Sequence, residues 1–553
     1  MTATPLADTT ASAGRSTEPL LEVDDLRVAF QVGDKLVDAV QGVSLDLAPG
    51  EILSIVGESG SGKSTVVNAI QGLLSPNAKI QGGSVRFDGR DMLRLNESQW
   101  REVRGKDIGF IPQDPAGSLN PVRKVGIQVA EPLLIHHLAD RKTATSKAVE
   151  LLTMSGLTHP EERANQYPFQ FSGGMKQRSL IAGALSTSPK LIIADEPTSA
   201  LDVTVQKQIL DYIEQLVQEL GVAVLMITHD LGLAAERSDK VVVMRKGEVV
   251  DAGPAREVMS SPSASYTRTL IDAVPRMDAF DTRATRIREV EEVEEVAPLV
   301  ETRDLVKIFD LPRGGSARTL TAVDHANLTI RRGETLAVVG ESGSGKSTLA
   351  RIILRLDEPT SGEILFDGKD ITKVDGRALR KLRQRMQMVY QSPFDSLNPR
   401  MNLQQIISEP LKSFKVGDAA SQKKRARDLL DQVSLPSNLI DRFPDELSGG
   451  QRQRVAIARA LALEPEFVVL DEAVSALDVS VQAQILKLLD ELQGELGLSY
   501  LFITHDLGVV AESADTVAVI QHGKMLEYGP TAEIFRHPQS DYTRKLLDAV
   551  PSL

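Results

Sequence analysis

Short apolar runs, each closed by glycine or by acidic residues, recur along this chain. Residues 52–56 (ILSIV) and 336–339 (LAVV) each read as a buried strand, and both feed the same nine residues, GESGSGKST, at 57–65 and 340–348. A second pair of runs, 191–194 (LIIA) and 467–470 (FVVL), ends in Asp-Glu. A third pattern, KQRSLIAGAL at 176–185 and RQRVAIARAL at 452–461, has helical periodicity and follows Ser-Gly-Gly. Strands that alternate with helices in this way predict an α/β fold.

Every one of these features occurs twice. Lys63 and Lys346 are 283 residues apart and Gln113 and Gln391 are 278 apart. Ser172 and Ser448, Asp195 and Asp471, His229 and His505, and Tyr266 and Tyr542 are all 276 apart. The chain is therefore one domain written twice, with length differences confined to loops before the middle of each copy. The boundaries fall at residues 18–275 and 299–553. Residues 1–17, rich in Thr, Ala and Ser, lack a basic start and an apolar core and read as a disordered tail. Residues 276–298 carry the acidic run 289–295 with no apolar periodicity and read as a solvated linker.

Composition narrows the function. A length of 553 residues exceeds one core and suits two domains. The net charge of −13 argues against a nucleic-acid partner held by bulk positive charge. There is no Cys, which excludes disulfides, thiolate metal sites and a Cys-held iron–sulfur cluster. No window approaches 18 consecutive apolar residues, so any membrane role must come through a partner.

The repeated glycine loop carries the chemistry. Gly57, Gly60 and Gly62, with Gly340, Gly343 and Gly345 in the second copy, let the backbone wrap a polyphosphate with its N–H groups turned inward, across Ser59 and Ser342. The helix that follows adds its positive end. Lys63 and Lys346 reach terminal phosphates, and Ser64 and Ser347, each followed by a Thr (Thr65, Thr348), offer a hydroxyl to Mg2+. The chain is thus expected to bind ATP and Mg2+ at two sites. Asp195 and Asp471 stand at strand ends, placed to hold the metal through water, and Glu196 and Glu472 to polarise an attacking water.

The motifs FSGGMKQR (171–178) and LSGGQRQR (447–454), each about twenty residues before the Asp-Glu strand, resemble the signature of ABC-type ATPases. Gln113 in IPQDP and Gln391 in VYQSP look like the family's Q-loop, SALD at 199–202 and 475–478 like its D-loop, and His229 and His505 in ITHD like its switch histidine. The resemblance covers almost the whole chain. It implies two tandem P-loop domains, each with a RecA-like core, an antiparallel β subdomain and a helical subdomain. It also implies head-to-tail pairing, with each ATP between the phosphate loop of one domain and Ser172, Gly173 and Gly174, or Ser448, Gly449, Gly450 and Gln451, of the other. Gln113 and Gln391 would sense the γ-phosphate and Mg2+, and His229 and His505 would donate to the γ-phosphate. Phe30 and Phe309, ending the first strand of each copy, either stack on adenine or belong to the core.

The tails SYTRTLIDAVPRM (265–277) and DYTRKLLDAVPSL (541–553) resemble those of importer ATPases for oligopeptides, dipeptides, nickel and related solutes, and LNP at 119–121 and 397–399 fits that group. The resemblance implies a peripheral protein on the cytoplasmic face of the membrane. It would drive two transmembrane permease subunits, with an extracytoplasmic binding protein choosing the solute, short peptides being favoured over nickel chelates or glutathione. The competing class is a soluble twin ATPase acting on ribosomes, whose linker is longer and basic. Both sites retain Lys, Gln, Asp-Glu and His and are expected to turn over. Met175 stands where the second copy has Gln451, and Ala473 and Val474 replace a Pro-Thr pair beside Glu472, so the two sites are expected to differ in rate.

Overall fold

A computed structural model describes residues 18–198, 201–280, 298–310, 319–391, 396–475 and 477–551. The tail 1–17, most of the 276–298 linker, and Ser199, Ala200 and Ala476 of the D-loops lie outside the described residues. Contacts gather the chain into two compact units, one chiefly of residues 18–268 and the other chiefly of residues 269–551.

In the first unit, Lys35–Leu47, Leu21–Val32, Ala78–Phe87 and Arg90–Asp91 form an antiparallel sheet in that spatial order. A second, six-stranded sheet runs Glu248–Pro254, Lys240–Arg245, Ile52–Val56, Ala223–Ile227, Leu191–Asp195, Ile108–Ile111. Its last five strands are parallel, and only Glu248–Pro254 is antiparallel. All five residues of Ile52–Val56 and of Ala223–Ile227 are buried, as a parallel strand covered on both faces requires. One core unites both sheets: Val28, Val43 and Phe87 of the antiparallel sheet pack with Ile55, Leu225 and the helix residues Val66 and Ile70. A helical layer, Val125–Ile135, Arg141–Met154 and Gly173–Leu185, packs on itself beside the sheet.

The second unit repeats this plan with Pro298–Asp310, Thr319–Arg331 and Ser361–Phe366 in the antiparallel part and Thr335–Val339, Ser499–Ile503, Phe467–Asp471 and Met386–Val389 in the parallel part. Here the pairing of Asp324 with Lys524 joins the two parts into one ten-stranded sheet. Between the first two antiparallel strands stand two residues, Gly33 and Asp34, in the first unit and the eight residues 311–318, outside the described residues, in the second, so one of the length differences falls there.

Candidate functional site

In each unit the chemistry-bearing residues collect at the carboxyl ends of neighbouring parallel strands, where open α/β sheets bind ligands. Ile52–Val56 runs into the glycine loop, Ala223–Ile227 is followed by Thr228 and His229, Leu191–Asp195 ends in Asp195 and is followed by Glu196, and Ile108–Ile111 leads to Gln113. The register sets Ile227 opposite both Ile55 and Asp195, so the His229 strand lies between the loop strand and the Asp-Glu strand.

The loop backbone uses conformations only glycine adopts freely. Gly57 has φ 147°, and a Cβ there would meet the Met244 carbonyl oxygen at 2.2 Å. Gly340 has φ 149° and would meet the Ile520 oxygen at 2.1 Å. The helices Lys63–Ile70 and Lys346–Ile353 begin right after the loop, with no side chain capping their first N–H groups. Lys63 Nζ donates to the carbonyls of Gly57 at 2.6 Å and Glu58 at 2.8 Å, and Lys346 Nζ to those of Gly340 at 2.7 Å and Glu341 at 2.8 Å. Both lysines are buried, and burial holds the Lys346 ammonium below its ordinary pKa against the opposing pull of Glu472 and Asp471. The hydroxyls of Ser61 and Ser344 are buried in the same loops without a hydrogen-bond partner among the described residues. In the sequence they occupy variable positions of the motif, which carry no signal of a role. Ser59, Gly60, Ser64, Ser342, Gly343 and Ser347 are exposed, and Thr65 and Thr348 are half-buried.

Around Glu196, His229 Nδ1 lies 3.2 Å from Oε1 and Gln113 Nε2 donates to Oε2 at 2.8 Å. Around Glu472, His505 Nδ1 lies at 3.8 Å and Gln391 Nε2 donates at 2.6 Å. Burial pushes both carboxyls up, but the histidine, the loop lysine and the glutamine together overcome it and hold them below the usual glutamate range. Burial lowers the His505 imidazole, and the bond and charge of Glu472 outweigh it and raise it. Glu196 (φ 44°) and Glu472 (φ 47°) sit in the left-handed region, each pinned by its N–H to the carbonyl of Ile227 or Ile503 at 2.9 Å. Burial, reinforced by Glu196, pushes Asp195 up to about 6. Asp471 is raised likewise, and it accepts from the Ser347 hydroxyl at 3.1 Å.

The Ser-Gly-Gly segments stand in the helical layer rather than in this cluster. Ser172 and Ser448 cap the helices Gly173–Leu185 and Gly449–Leu461. Gln451 Oε1 accepts from the Ser448 N–H at 3.0 Å and completes a capping box, so the Met175/Gln451 difference is first a difference in helix capping. Met175→Gln should therefore stabilise the first unit by about 0.5–1 kcal/mol, a rise of about 1–3 °C in its unfolding midpoint by calorimetry. An unchanged midpoint would mean the cap carries no stability there.

Phe30 is half-buried, and Phe309 is 37% exposed with Lys307 Nζ 5.0 Å from its ring centre. Among the described residues, neither ring is named in the two core clusters that include the antiparallel strands.

The family model for the ABC transporter matches residues 40–199 and 323–475, which together hold both glycine loops, both Asp-Glu strands and both Ser-Gly-Gly segments. The chain belongs to the ABC transporter family. A second model, the oligopeptide/dipeptide transporter C-terminal region, matches 250–298 and 526–553. Over 540 residues the chain is 45% identical to the peptidoglycan transport ATP-binding protein YejF of Agrobacterium fabrum, covering 97% of each. It is 42% identical over 561 residues to the glutathione import ATP-binding protein GsiA of Escherichia coli, covering 96% of this chain and 89% of that one. Among solved structures, the dimeric bacterial ABC transporter cassette MJ0796 aligns with 43% of this chain and 99% of its own, at 31% identity and a TM-score of 0.39. As an ABC protein of the importer kind the chain binds ATP, is an ATPase, and works with transmembrane components of a transporter. Among the described residues no helix is long and apolar enough to cross a membrane.

Proposed function

We propose that this chain is the energising subunit of an importer for short peptides, bound at the cytoplasmic face of the membrane to two permease subunits. The observation that carries this reading is the pairing of two ATPase cassettes with two copies of the oligopeptide/dipeptide C-terminal region in one chain. The relatives point the same way, since peptidoglycan fragments and glutathione both contain short peptide chains. A groove of about 340 Å3 in the first unit offers a surface for permease docking. It is lined by Leu73, Phe110, Leu119 and Pro132, between the strand that leads to Gln113 and the helical layer. An extracytoplasmic binding protein selects the solute.

Within each cassette, Lys63 or Lys346 and the loop N–H groups hold the phosphates, and Glu196 or Glu472 accepts the proton of the attacking water. His229 or His505 and Gln113 or Gln391 fix that carboxylate and face the terminal phosphate. The Ser61 and Ser344 hydroxyls, without a partner among the described residues, and the close backbone approach at Gly57 and Gly340 fit a polyphosphate. The oxygen donors Ser64 with Asp195, and Ser347 with Asp471, together with Gln113 and Gln391, fit Mg2+, which supplies charge neutralisation between phosphates when bound. Phe30 and Phe309 offer rings for adenine.

Because Asp195 titrates near pH 6, its carboxylate must lose a proton before it holds a cation. The apparent Mg2+ affinity of the first cassette should fall about tenfold per pH unit below about 6, and Asp195→Asn should flatten that profile. Mg2+ titrations of turnover between pH 5 and 7.5 check it, and a pH-independent affinity would remove Asp195 from the site.

The transport reading is tested in vesicles with the permease subunits and the binding protein. Stimulation of ATPase by binding protein loaded with di- or tripeptides is expected. Glutathione alone as stimulant would favour the reading suggested by its import relatives, and recovery of the chain with ribosomes instead of membranes would overturn transport altogether.

A further inference from the structure

Each cassette has a contact between its tail and its glycine loop that the ATPase mechanism does not use. Tyr266 lies in the helix Ser265–Asp272 and Tyr542 in the helix Asp541–Leu547, both within the C-terminal region matched to oligopeptide/dipeptide transporters. Both are 8% exposed. The Tyr542 ring packs with Ala337 and Val339, on the strand that feeds the loop, and the Arg245 guanidinium lies 4.6 Å from the Tyr266 ring centre. The Glu341 N–H donates to the Tyr542 hydroxyl at 2.9 Å and the Glu58 N–H to the Tyr266 hydroxyl at 3.4 Å.

These bonds fall on a decisive peptide. The N–H of Glu58 and the C=O of Gly57 belong to one planar unit, whose carbonyl takes the Lys63 ammonium at 2.6 Å. The Gly340–Glu341 peptide likewise holds Lys346 at 2.7 Å on one side and Tyr542 on the other. The tyrosine thus fixes the rotation of the plane that anchors the phosphate-binding lysine. Gly57 and Gly340 on the N-terminal side of that plane have no side chain to restrict it.

We propose that Tyr266 and Tyr542 are positioning residues for nucleotide: each braces the first peptide of its own phosphate loop, so the importer-type tail tunes nucleotide affinity. This rests on reading residues 57–65 and 340–348 as phosphate-binding loops. Without the hydroxyl, the plane and its lysine sample orientations that do not bind, and apparent affinity falls by the competent fraction. Phe keeps the ring and its packing and removes only the bond.

The test is calorimetric titration of the full chain with ADP, which is not turned over, in Tyr542→Phe, Tyr266→Phe and the double variant. One net hydrogen bond predicts that Tyr542→Phe weakens one of the two sites about threefold to tenfold. The effect of Tyr266→Phe should be smaller, because its bond is longer. The KM for ATP should rise by the same factor while kcat at saturation stays within about twofold. A double variant with wild-type ADP affinity at both sites, or one in which kcat falls and affinity does not, overturns the brace. Lys63→Ala and Lys346→Ala serve as the reference. If they weaken ADP binding and the tyrosine variants do not, only the brace is lost. If they too bind as wild type, the loop reading fails and the brace with it.

Discussion

Glu196→Gln and Glu472→Gln are each expected to lower ATP turnover at the altered site by about 100- to 10,000-fold while leaving nucleotide bound. The amide keeps the size of the carboxyl and an oxygen for the neighbouring donors, so the bonds from Gln113 or Gln391 have a partner still. What is lost is the charge. At neutral pH that carboxylate is ionised in spite of its burial, because the histidine, the loop lysine and the glutamine all favour the anion. A neutral amide neither attracts the developing proton nor balances the charge on water. The left-handed backbone at both glutamates, with φ of 44° and 47°, is an outlier that the adjoining strand holds in place, as is common where a side chain must be aimed. Single-turnover rates and retained ATP decide the matter. Wild-type turnover in both single variants would exclude these carboxylates as the general bases.

Lys63→Ala and Lys346→Ala act on the other half of the reaction and should weaken ATP binding at their own sites by about 10- to 150-fold, as expected for losing one charge-assisted hydrogen bond. Each ammonium is buried and spends two of its three protons on loop carbonyls. Burial also pulls the Lys346 ammonium down from its ordinary pKa, so a phosphate beside it regains charge interaction that water no longer screens. Ala removes this charge and leaves the Gly57 and Glu58, or Gly340 and Glu341, carbonyls without their donor. Binding isotherms on each single variant read the effect directly, and an unchanged affinity in both would refute phosphate contact by these lysines.

By itself the sequence determined the duplicated α/β plan, the strands that precede GESGSGKST and those that end in Asp-Glu, and the order of the motifs, because apolar runs, glycine turns and charged strand ends are local signals. It also determined which chemistries are present and, through the absence of Cys, one that is not. Two matters were settled only by the tertiary structure. Strand order put His229 between the loop and Glu196, although Glu196 precedes it by 33 residues, since a strand's period shows which face is buried but not which strand it pairs with. The fold also carried Tyr266 and Tyr542 some 200 residues along the chain to the N–H of Glu58 and Glu341. Such contacts form only when separate elements pack, so their partners are fixed by burial and backbone pairing across the whole unit and leave no mark in any short window of sequence.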